Sequence, residues 1–306
     1  MRTAKPCFNT VLEPLGLPTL VSTDDAGLLE AVRRLYGEWR SARPATAPRL
    51  QLHFEVGADV GVRGVDTDVG IKGSRLTLHG AGVAGWADAE AGRAEARLSP
   101  ELAADPAALA EACDPLLLFL LTRSGRIPVH AAGVLVGGIA LVLAGRSGAG
   151  KSTLALRAMQ RGLPILSDDT VYIQLQPDLR VWGFRRPLHV FPDEAPRFTD
   201  GTRLRAGRVK AVVPLSPAAV RGPLSAEWAA LIVLNRGPRI ALEPIDAEAA
   251  AAGLSRLDPG FDLLAGPSAQ AIAALAAGGA WRLSLTDDPD AALDLLIRQF
   301  DAGAPG

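Results

Sequence analysis

One stretch of the chain constrains its fold more than any other: Gly145 to Thr153, which reads GRSGAGKST. An apolar segment, ALVLA, precedes it and has the character of a buried strand, and the segment KSTLALRAMQR has the character of a helix. A glycine-rich loop that ends in Gly-Lys-Ser between a strand and a helix is the pattern of a P-loop. The sequence therefore predicts an α/β fold in which this loop leaves a buried strand.

The residue types of this loop suit the binding of phosphate groups. Its glycines let the backbone turn its N–H groups inward, and the start of the helix adds a partial positive charge. Lys151 is placed to reach the β- and γ-phosphates, and Ser152 is placed to ligate Mg²⁺. We therefore predict ATP and Mg²⁺ as cofactors, with these candidate contacts: Gly145, Arg146, Ser147, Gly148, Ala149, Gly150, Lys151, Ser152 and Thr153.

A histidine is predicted to lie at the mouth of the loop. Two apolar segments flank Gly137-Gly138, which is typical of a hairpin with a two-residue turn. If Val136 pairs with Ile139 in that hairpin, His130 falls opposite Gly145. We therefore predict a catalytic role for His130, and a structural hydrogen bond at the strand end is the alternative.

Two adjacent carboxylates, Asp168 and Asp169, follow a short apolar strand predicted for Leu163 to Leu166. The carboxyl end of a strand is where open α/β sheets place their ligands. Because successive strand residues point to opposite faces, we expect different roles for the two. We predict that Asp169 is the base for an acceptor hydroxyl and that Asp168 serves Mg²⁺ together with Ser152. An Asx turn without a chemical role is the alternative.

Two further polar clusters lie downstream of the aspartates. The segment GTRLRAGRVK gathers cations that suit a transferring phosphoryl group, although a solvated loop would share this composition; the candidate transition-state cations are Arg203, Arg205, Arg208 and Lys210. A second cluster suits either an acceptor groove or a surface hairpin, and its members are Arg185, Arg186, His189, Asp193 and Glu194.

The composition restricts the classes of partner. The 306 residues include 32 Lys and Arg and 33 Asp and Glu, which makes the formal net charge −1. Such a chain has no overall attraction to nucleic acid or anionic lipid, and its best apolar stretch, residues 131–145, is too short for a membrane-spanning helix. Cys7 and Cys113 fit free thiols in a reducing compartment. We predict a cytoplasmic protein without nucleic-acid or membrane partners.

The pattern of elements divides the chain into two predicted domains. Residues 1–125 indicate a smaller α+β domain that binds a substrate or a partner. In this domain one helix is predicted to be capped within residues 22–24 and another to begin at Asp114-Pro115. Residues 126–306 alternate strands with helices and are predicted to form the nucleotide-binding catalytic domain.

The segment HAAGVLVGGIALVLAGRSGAGKSTLALRAMQRGLPILSDDTVYI resembles the nucleotide-binding core of the HPr kinase/phosphorylase family. That family has, in this order, a histidine-bearing hairpin, a P-loop, a helix that ends in Arg-Gly and a strand that ends in Asp-Asp. The segment WRLSLTDDPDAALDLLIRQF resembles the closing strand and helix of HPr kinase-like proteins.

This resemblance implies the P-loop core that HPr kinases share with phosphoenolpyruvate carboxykinase, and an ATP-dependent serine kinase activity. By matching position, Lys151 steadies the transferred group, Ser152 and one aspartate hold Mg²⁺, the other aspartate is the base, and His130 stands close by. The chain is closer in character to diverged, HPr kinase-related proteins of gene clusters for ribosomally made peptides, lasso peptides among them. The expected acceptor is therefore a serine of a precursor peptide or of a small HPr-like protein.

Two other functions stay open, namely a non-catalytic ATP-binding sensor or regulatory protein and a P-loop NTP hydrolase. The aspartate pair and His130 favour the kinase, because a sensor has no use for a base. A transport-type or GTPase-type hydrolase is disfavoured because the sequence carries neither an ABC-type signature nor an Asn-Lys-x-Asp motif. Whether the chain forms a homo-oligomer also stays open.

Overall fold

The computed structural model describes most of the chain, namely residues 7–40, 47–58, 60, 68–80, 82–195, 199–205, 208–253 and 265–301. The chain has a mixed α/β fold and divides into two compact units, residues 1–124 and residues 125–306. Within the described residues, no helix is both long enough and apolar enough to cross a membrane.

A seven-stranded mixed sheet forms the centre of the first unit, in the strand order β1-β2-β3-β7-β6-β5-β4. The elements are β1 Phe8–Leu12, β2 Thr19–Thr23, α1 Ala26–Leu35, β3 Leu50–Val56, β4 Asp68–Lys72, β5 Arg75–Gly80, β6 Val83–Asp88, β7 Arg93–Leu98, α2 Pro100–Ala104 and α3 Pro106–Arg123. Alternate residues of β3, such as Leu50, Leu52 and Phe54, are buried, whereas Gln51 is exposed. This period-two pattern is what a strand with one buried face requires.

Helix α1 begins one residue later than predicted. Its N-cap is Asp25, whose side chain accepts a hydrogen bond from the backbone N–H of Leu28 at 2.7 Å. The predicted caps within residues 22–24 are wrong, because β2 continues through Thr23 in register with β3. Asp24 instead accepts a hydrogen bond from the backbone N–H of Val56 at 3.3 Å.

Helix α3 begins well before the predicted start at Asp114-Pro115. Asp105 is its N-cap and accepts hydrogen bonds from two backbone N–H groups of the first turn, and Pro106 occupies the first helical position. Pro115 therefore lies inside the helix, where a proline costs about 3 kcal/mol. The buried leucines of the last turns offset this cost, since each contributes roughly 1.5–3 kcal/mol. Asp114 has a different role and accepts a hydrogen bond from the Tyr36 hydroxyl at 2.7 Å.

The described residues of the second unit form three sheets, of six, four and three strands. Its elements are β8 Ile127–Val129, β9 Ala131–Val136, β10 Ile139–Ala144, α4 Lys151–Gln160, β11 Ile165–Ser167, β12 Val171–Gln174, β13 Arg180–Gly183, β14 Leu188–Val190, β15 Thr202–Arg205, β16 Arg208–Val213, β17 Ser225–Ala226, β18 Trp228–Arg236, β19 Ala241–Pro244, α5 Ala247–Gly253, α6 Ala265–Ala277, β20 Ala280–Leu285 and α7 Pro289–Phe300. The strand orders are β11-β9-β10-β18-β20-β19, β17-β13-β12-β8 and β14-β16-β15.

Strand β10 lies in the middle of the six-stranded sheet and is buried on both faces. It runs parallel to β18, which in turn runs parallel to β20. Leu141 and Leu143 belong to a core that includes residues of α4 and α7, whereas Val142 belongs to a second core that includes Leu275 of α6. Strands covered on both sides read as continuous apolar runs, which explains the segment ALVLA. The carboxyl end of β10 leads directly into the glycine-rich loop.

Candidate phosphate-binding site

The glycine-rich loop connects β10 to α4, as the sequence predicts. Gly150 has a φ of 108°, a left-handed conformation that disfavours any residue with a Cβ, and it immediately precedes α4. Gly145 lies so close to β18 that an added Cβ would be 3.1 Å from the carbonyl oxygen of Leu234. Both glycines are therefore required by the backbone path that brings the loop to the helix N-terminus.

The side chain of Lys151 is buried against this loop and is only 7% exposed as a residue. Its Nζ atom donates hydrogen bonds to the carbonyl oxygens of Gly145, at 2.7 Å, and of Arg146, at 3.4 Å. The ammonium group is thus held against the backbone of the loop by two of its carbonyl oxygens.

Burial and the charges of other side chains both affect the pKa of Lys151. Burial desolvates the ammonium group and lowers the pKa of Lys151 below its ordinary value. The carboxylates of Asp169 and Asp168 act in the opposite direction, and the ammonium group of Lys210 lowers the pKa further. The two predicted aspartates and Lys210 of the downstream cluster therefore all affect the charge state of this lysine.

The predicted hairpin register is confirmed. Val136 pairs with Ile139 and Ala131 pairs with Ala144, so that His130 follows at the start of the loop. The Nδ1 atom of His130 lies 3.5 Å from Oδ1 of Asp169, which makes an ion pair when the imidazole is protonated. His130 is thereby brought to the aspartate pair by turn geometry, while its catalytic role stays a prediction.

The two aspartates differ in burial and in partners. Asp168 is 7% exposed, and its Oδ2 atom accepts a hydrogen bond from the backbone N–H of His189 at 2.8 Å. The side chain of Asp169 is 51% exposed. Strand β11 ends at Ser167 and both aspartates lie in the bend that follows, so strand alternation does not set their directions; their different roles stay a prediction.

The cluster of arginines and Lys210 forms a β-hairpin rather than a loop. Strands β15 and β16 pair with Arg203 opposite Lys210 and Arg205 opposite Arg208. The Nζ atom of Lys210 lies 3.4 Å from the centre of the Phe191 ring, and Arg203 and Arg208 are exposed. The side chain of Arg205 lies outside the described part of the chain. Lys210 is the member of this set whose charge acts on Lys151.

The turn after β14, residues 191–195, touches the site in a way that sequence reasoning missed. The hydroxyl of Thr153, in the first turn of α4, donates to the Glu194 carboxylate, at 3.0 Å from Oε1 and 2.8 Å from Oε2. The ring of Phe191, in the same turn, makes a cation–π contact with the ammonium group of Lys210. The sequence predicted Glu194 only as part of an acceptor groove or a surface hairpin. Its contact with Thr153 could not be predicted, because no spacing rule links residues 41 positions apart.

Arg185 is a structural residue and does not line an exposed groove or a surface hairpin. It is 6% exposed, and its guanidinium group donates hydrogen bonds of 2.7–3.0 Å to four backbone carbonyl oxygens. The acceptors are Ile165, Val220, Gly222 and Pro223. This arginine therefore ties β11, which ends beside the aspartates, to the segment before β17.

We expect Arg185→Ala to lower the free energy of unfolding by at least about 3 kcal/mol, since each polar group left unsatisfied costs about 1–3 kcal/mol. The neighbouring Arg186→Ala is the matched control. The Arg186 guanidinium lies 4.4 Å from the centre of the Phe184 ring, and it donates a hydrogen bond to the carbonyl oxygen of Arg185 at 3.0 Å. These contacts are worth roughly 0.5–1 and 0.5–1.5 kcal/mol, less than the four hydrogen bonds of Arg185. Urea unfolding of the two variants measures the difference, and equal stabilities would contradict this role for Arg185.

The oxygen donors at the site fit Mg²⁺. A hydroxyl on Ser152 and a carboxylate on Asp168 are hard ligands of the kind that this ion prefers. In the part of the chain that the structure describes, no group of three or more His, Cys, Asp or Glu side chains could hold a metal ion by itself. At nucleotide sites Mg²⁺ is usually held by one or two protein oxygens together with phosphate oxygens and water.

No protein-family model matches the chain, and no curated protein matches it. Among solved structures, the chain is similar to that of the Hpr(Ser) kinase/phosphatase from Coxiella burnetii, with 15% identity and a TM-score of 0.29. The match covers 57% of this chain and 96% of that one.

Proposed function

We propose that the chain is an ATP- and Mg²⁺-dependent kinase that transfers the γ-phosphoryl group to a serine hydroxyl of a peptide or small protein. The observation that carries this proposal is the 3.5 Å contact between Asp169 and His130, a residue that the hairpin register places at the start of the glycine-rich loop. A site that only binds or senses nucleotide has no need of a base next to the phosphates, whereas transfer to a hydroxyl does.

Positive charge at the site would stabilise the transferring group. Catalysis of phosphoryl transfer rests mainly on positioning and on neutralisation of the phosphate oxygens. Lys151 supplies one cation from the loop, and Lys210 supplies a second from the β15–β16 hairpin. The start of α4 adds backbone N–H groups that point at the same place.

The acceptor serine needs a group that takes its proton. In this proposal the proton on Oγ passes to the carboxylate of Asp169 while Oγ bonds to the γ-phosphorus. The bond between that phosphorus and the bridging oxygen of ADP breaks in the same exchange, and ADP leaves. Asp169 suits the role because its side chain is half-exposed and therefore open to an incoming acceptor. The imidazole of His130 orients the carboxylate at 3.5 Å.

Ser152 and Asp168 are the residues that would hold Mg²⁺. When bound, this ion supplies positive charge to the β- and γ-phosphates. Asp168 suits the role because its side chain is buried and accepts a hydrogen bond from the N–H of His189. Its position therefore does not depend on whether the serine substrate is bound.

The acceptor is proposed to be a ribosomally made precursor peptide, such as that of a lasso peptide, or a small HPr-like protein. The first unit, residues 1–124, is proposed to bind this acceptor or another partner. The reaction is proposed to take place in the cytoplasm, with no nucleic acid or membrane as partner.

Incubation with γ-labelled ATP and peptides encoded beside the gene tests the proposed function. We expect label on a serine of one of these peptides, and no label on the same peptide with that serine replaced by alanine. Label that stays in the nucleotide would identify a sensor, and label released as free phosphate with every neighbouring candidate would identify a hydrolase.

A further inference from the structure

One charged residue at the site has no role in the proposed reaction, and this residue is Glu194. Both of its carboxylate oxygens lie within 3.0 Å of the Thr153 hydroxyl. Thr153 directly follows Ser152 in the first turn of α4, which is the end of the helix that faces the phosphates. A full negative charge is therefore held where the proposed site would receive a polyanion.

The backbone fixes Glu194 in this position. Its N–H donates to the carbonyl oxygen of Phe191 at 3.0 Å, which closes a turn directly after β14. Strand β14 pairs with β16, and the N–H of His189 in β14 is held by Asp168. The carboxylate thus belongs to the same framework that positions Asp168 and Lys210, and it does not come from an isolated surface side chain.

The carboxylate of Glu194 and a bound phosphate would both interact with the positive end of α4. The positive end of a helix attracts a carboxylate and a phosphate for the same reason, and two such anions repel each other. The carboxylates of Asp168 and Asp169 add negative charge that also acts on Lys151. A nucleotide at the loop would therefore meet acidic groups as well as cations.

We propose that Glu194 is a specificity-determining residue that makes the site prefer metal-complexed ATP to free ATP. The inference rests on the proposed function, because it requires that the loop binds ATP. Free ATP carries more negative charge than its Mg²⁺ complex, and it meets the larger repulsion from Glu194. A cation between the phosphates and the acidic groups removes this penalty.

The variant Glu194→Gln tests this preference, because glutamine keeps an oxygen acceptor for the Thr153 hydroxyl and removes the charge. Calorimetric titration with ATP in EDTA and with ATP in excess Mg²⁺ measures the two affinities of each protein. We expect the affinity of the variant for free ATP to rise about tenfold, the effect of a nearby unit charge that is partly screened by solvent. The affinity for the Mg²⁺ complex should change less, so that the ratio of the two affinities falls.

Asp193→Asn is the matched control, because Asp193 is the preceding acid of the same turn and is exposed. The ratio of the affinity for free ATP to the affinity for the Mg²⁺ complex should be the same in Asp193→Asn as in the wild type. An unchanged ratio in Glu194→Gln would overturn the inference, and so would a loss of affinity confined to the Mg²⁺ complex, which would assign Glu194 to the metal. Failure of the proposed function gives a different result, namely a wild-type protein that binds neither form of ATP.

Discussion

Lys151→Ala is expected to abolish ATP binding, with a loss of affinity of at least about 100-fold. Each hydrogen bond to a charged group contributes about 1.5–3 kcal/mol, and the lysine is expected to bond to two phosphate groups. In the absence of ATP the same ammonium group donates to two loop carbonyls, and the cost of its desolvation offsets these hydrogen bonds. Its removal should therefore leave the thermal unfolding temperature of the protein nearly unchanged. Calorimetric titration with Mg²⁺ and ATP measures the loss.

Lys72→Ala is the control for this variant, because Lys72 is an exposed lysine on β4 of the first unit. It should bind ATP as the wild type does. Undiminished affinity in Lys151→Ala would show that the glycine-rich loop is not the nucleotide site.

Asp169→Asn is expected to slow phosphoryl transfer by about 10²–10⁴-fold, the usual contribution of a general base. ATP and Mg²⁺ affinity should stay nearly intact, since this half-exposed carboxylate is not the proposed metal ligand. Single-turnover transfer from labelled ATP, combined with calorimetry, separates the two quantities.

Asp168→Asn is the counterpart and should weaken the Mg²⁺-dependent part of ATP binding as well as transfer. Its amide oxygen can still accept the hydrogen bond from the N–H of His189, so that the variant should fold. If Asp168→Asn spares metal-dependent binding and Asp169→Asn destroys it, the two roles are reversed. If neither change slows transfer, the pair is only a turn after β11.

The elements that could be predicted from the sequence are those set by local chemistry. The Gly137-Gly138 turn fixes the register of β9 and β10, and that register delivers His130 to the loop. Asp288 and Pro289 carry the local signal of a helix start and begin α7, with the aspartate side chain accepting from the N–H of Ala291 at 3.0 Å. In each case the signal and the structure that it controls lie within a few residues of each other.

Local signals failed where two of them competed. The pairs Asp105-Pro106 and Asp114-Pro115 are equally good helix starts in the sequence, and the first one begins α3. The choice depends on what the intervening turns bury, and burial is decided by the rest of the unit. A local signal also failed at Asp168 and Asp169. Strand β11 ends at Ser167, so the alternating directions of strand residues do not extend to the two aspartates.

The contacts that complete the site were beyond sequence reasoning for a different reason. Glu194 reaches Thr153, and Lys210 reaches Phe191 and acts on Lys151, only because β14 and β16 pair in one small sheet. Arg185 was expected in an acceptor groove or a surface hairpin, yet its guanidinium group donates to four backbone carbonyl oxygens. Such contacts join segments that are distant in the chain, and no residue type or spacing indicates them.

Mass spectrometry of the acceptor after incubation with Mg²⁺ and ATP tests the central claim most directly, because it locates the transferred group. The account predicts phosphoserine and ADP in equal amounts with the wild-type protein, and no phosphoserine with Lys151→Ala under the same conditions. ADP and free phosphate without phosphoserine on any neighbouring peptide, or phosphoserine formed equally well by Lys151→Ala, would contradict it.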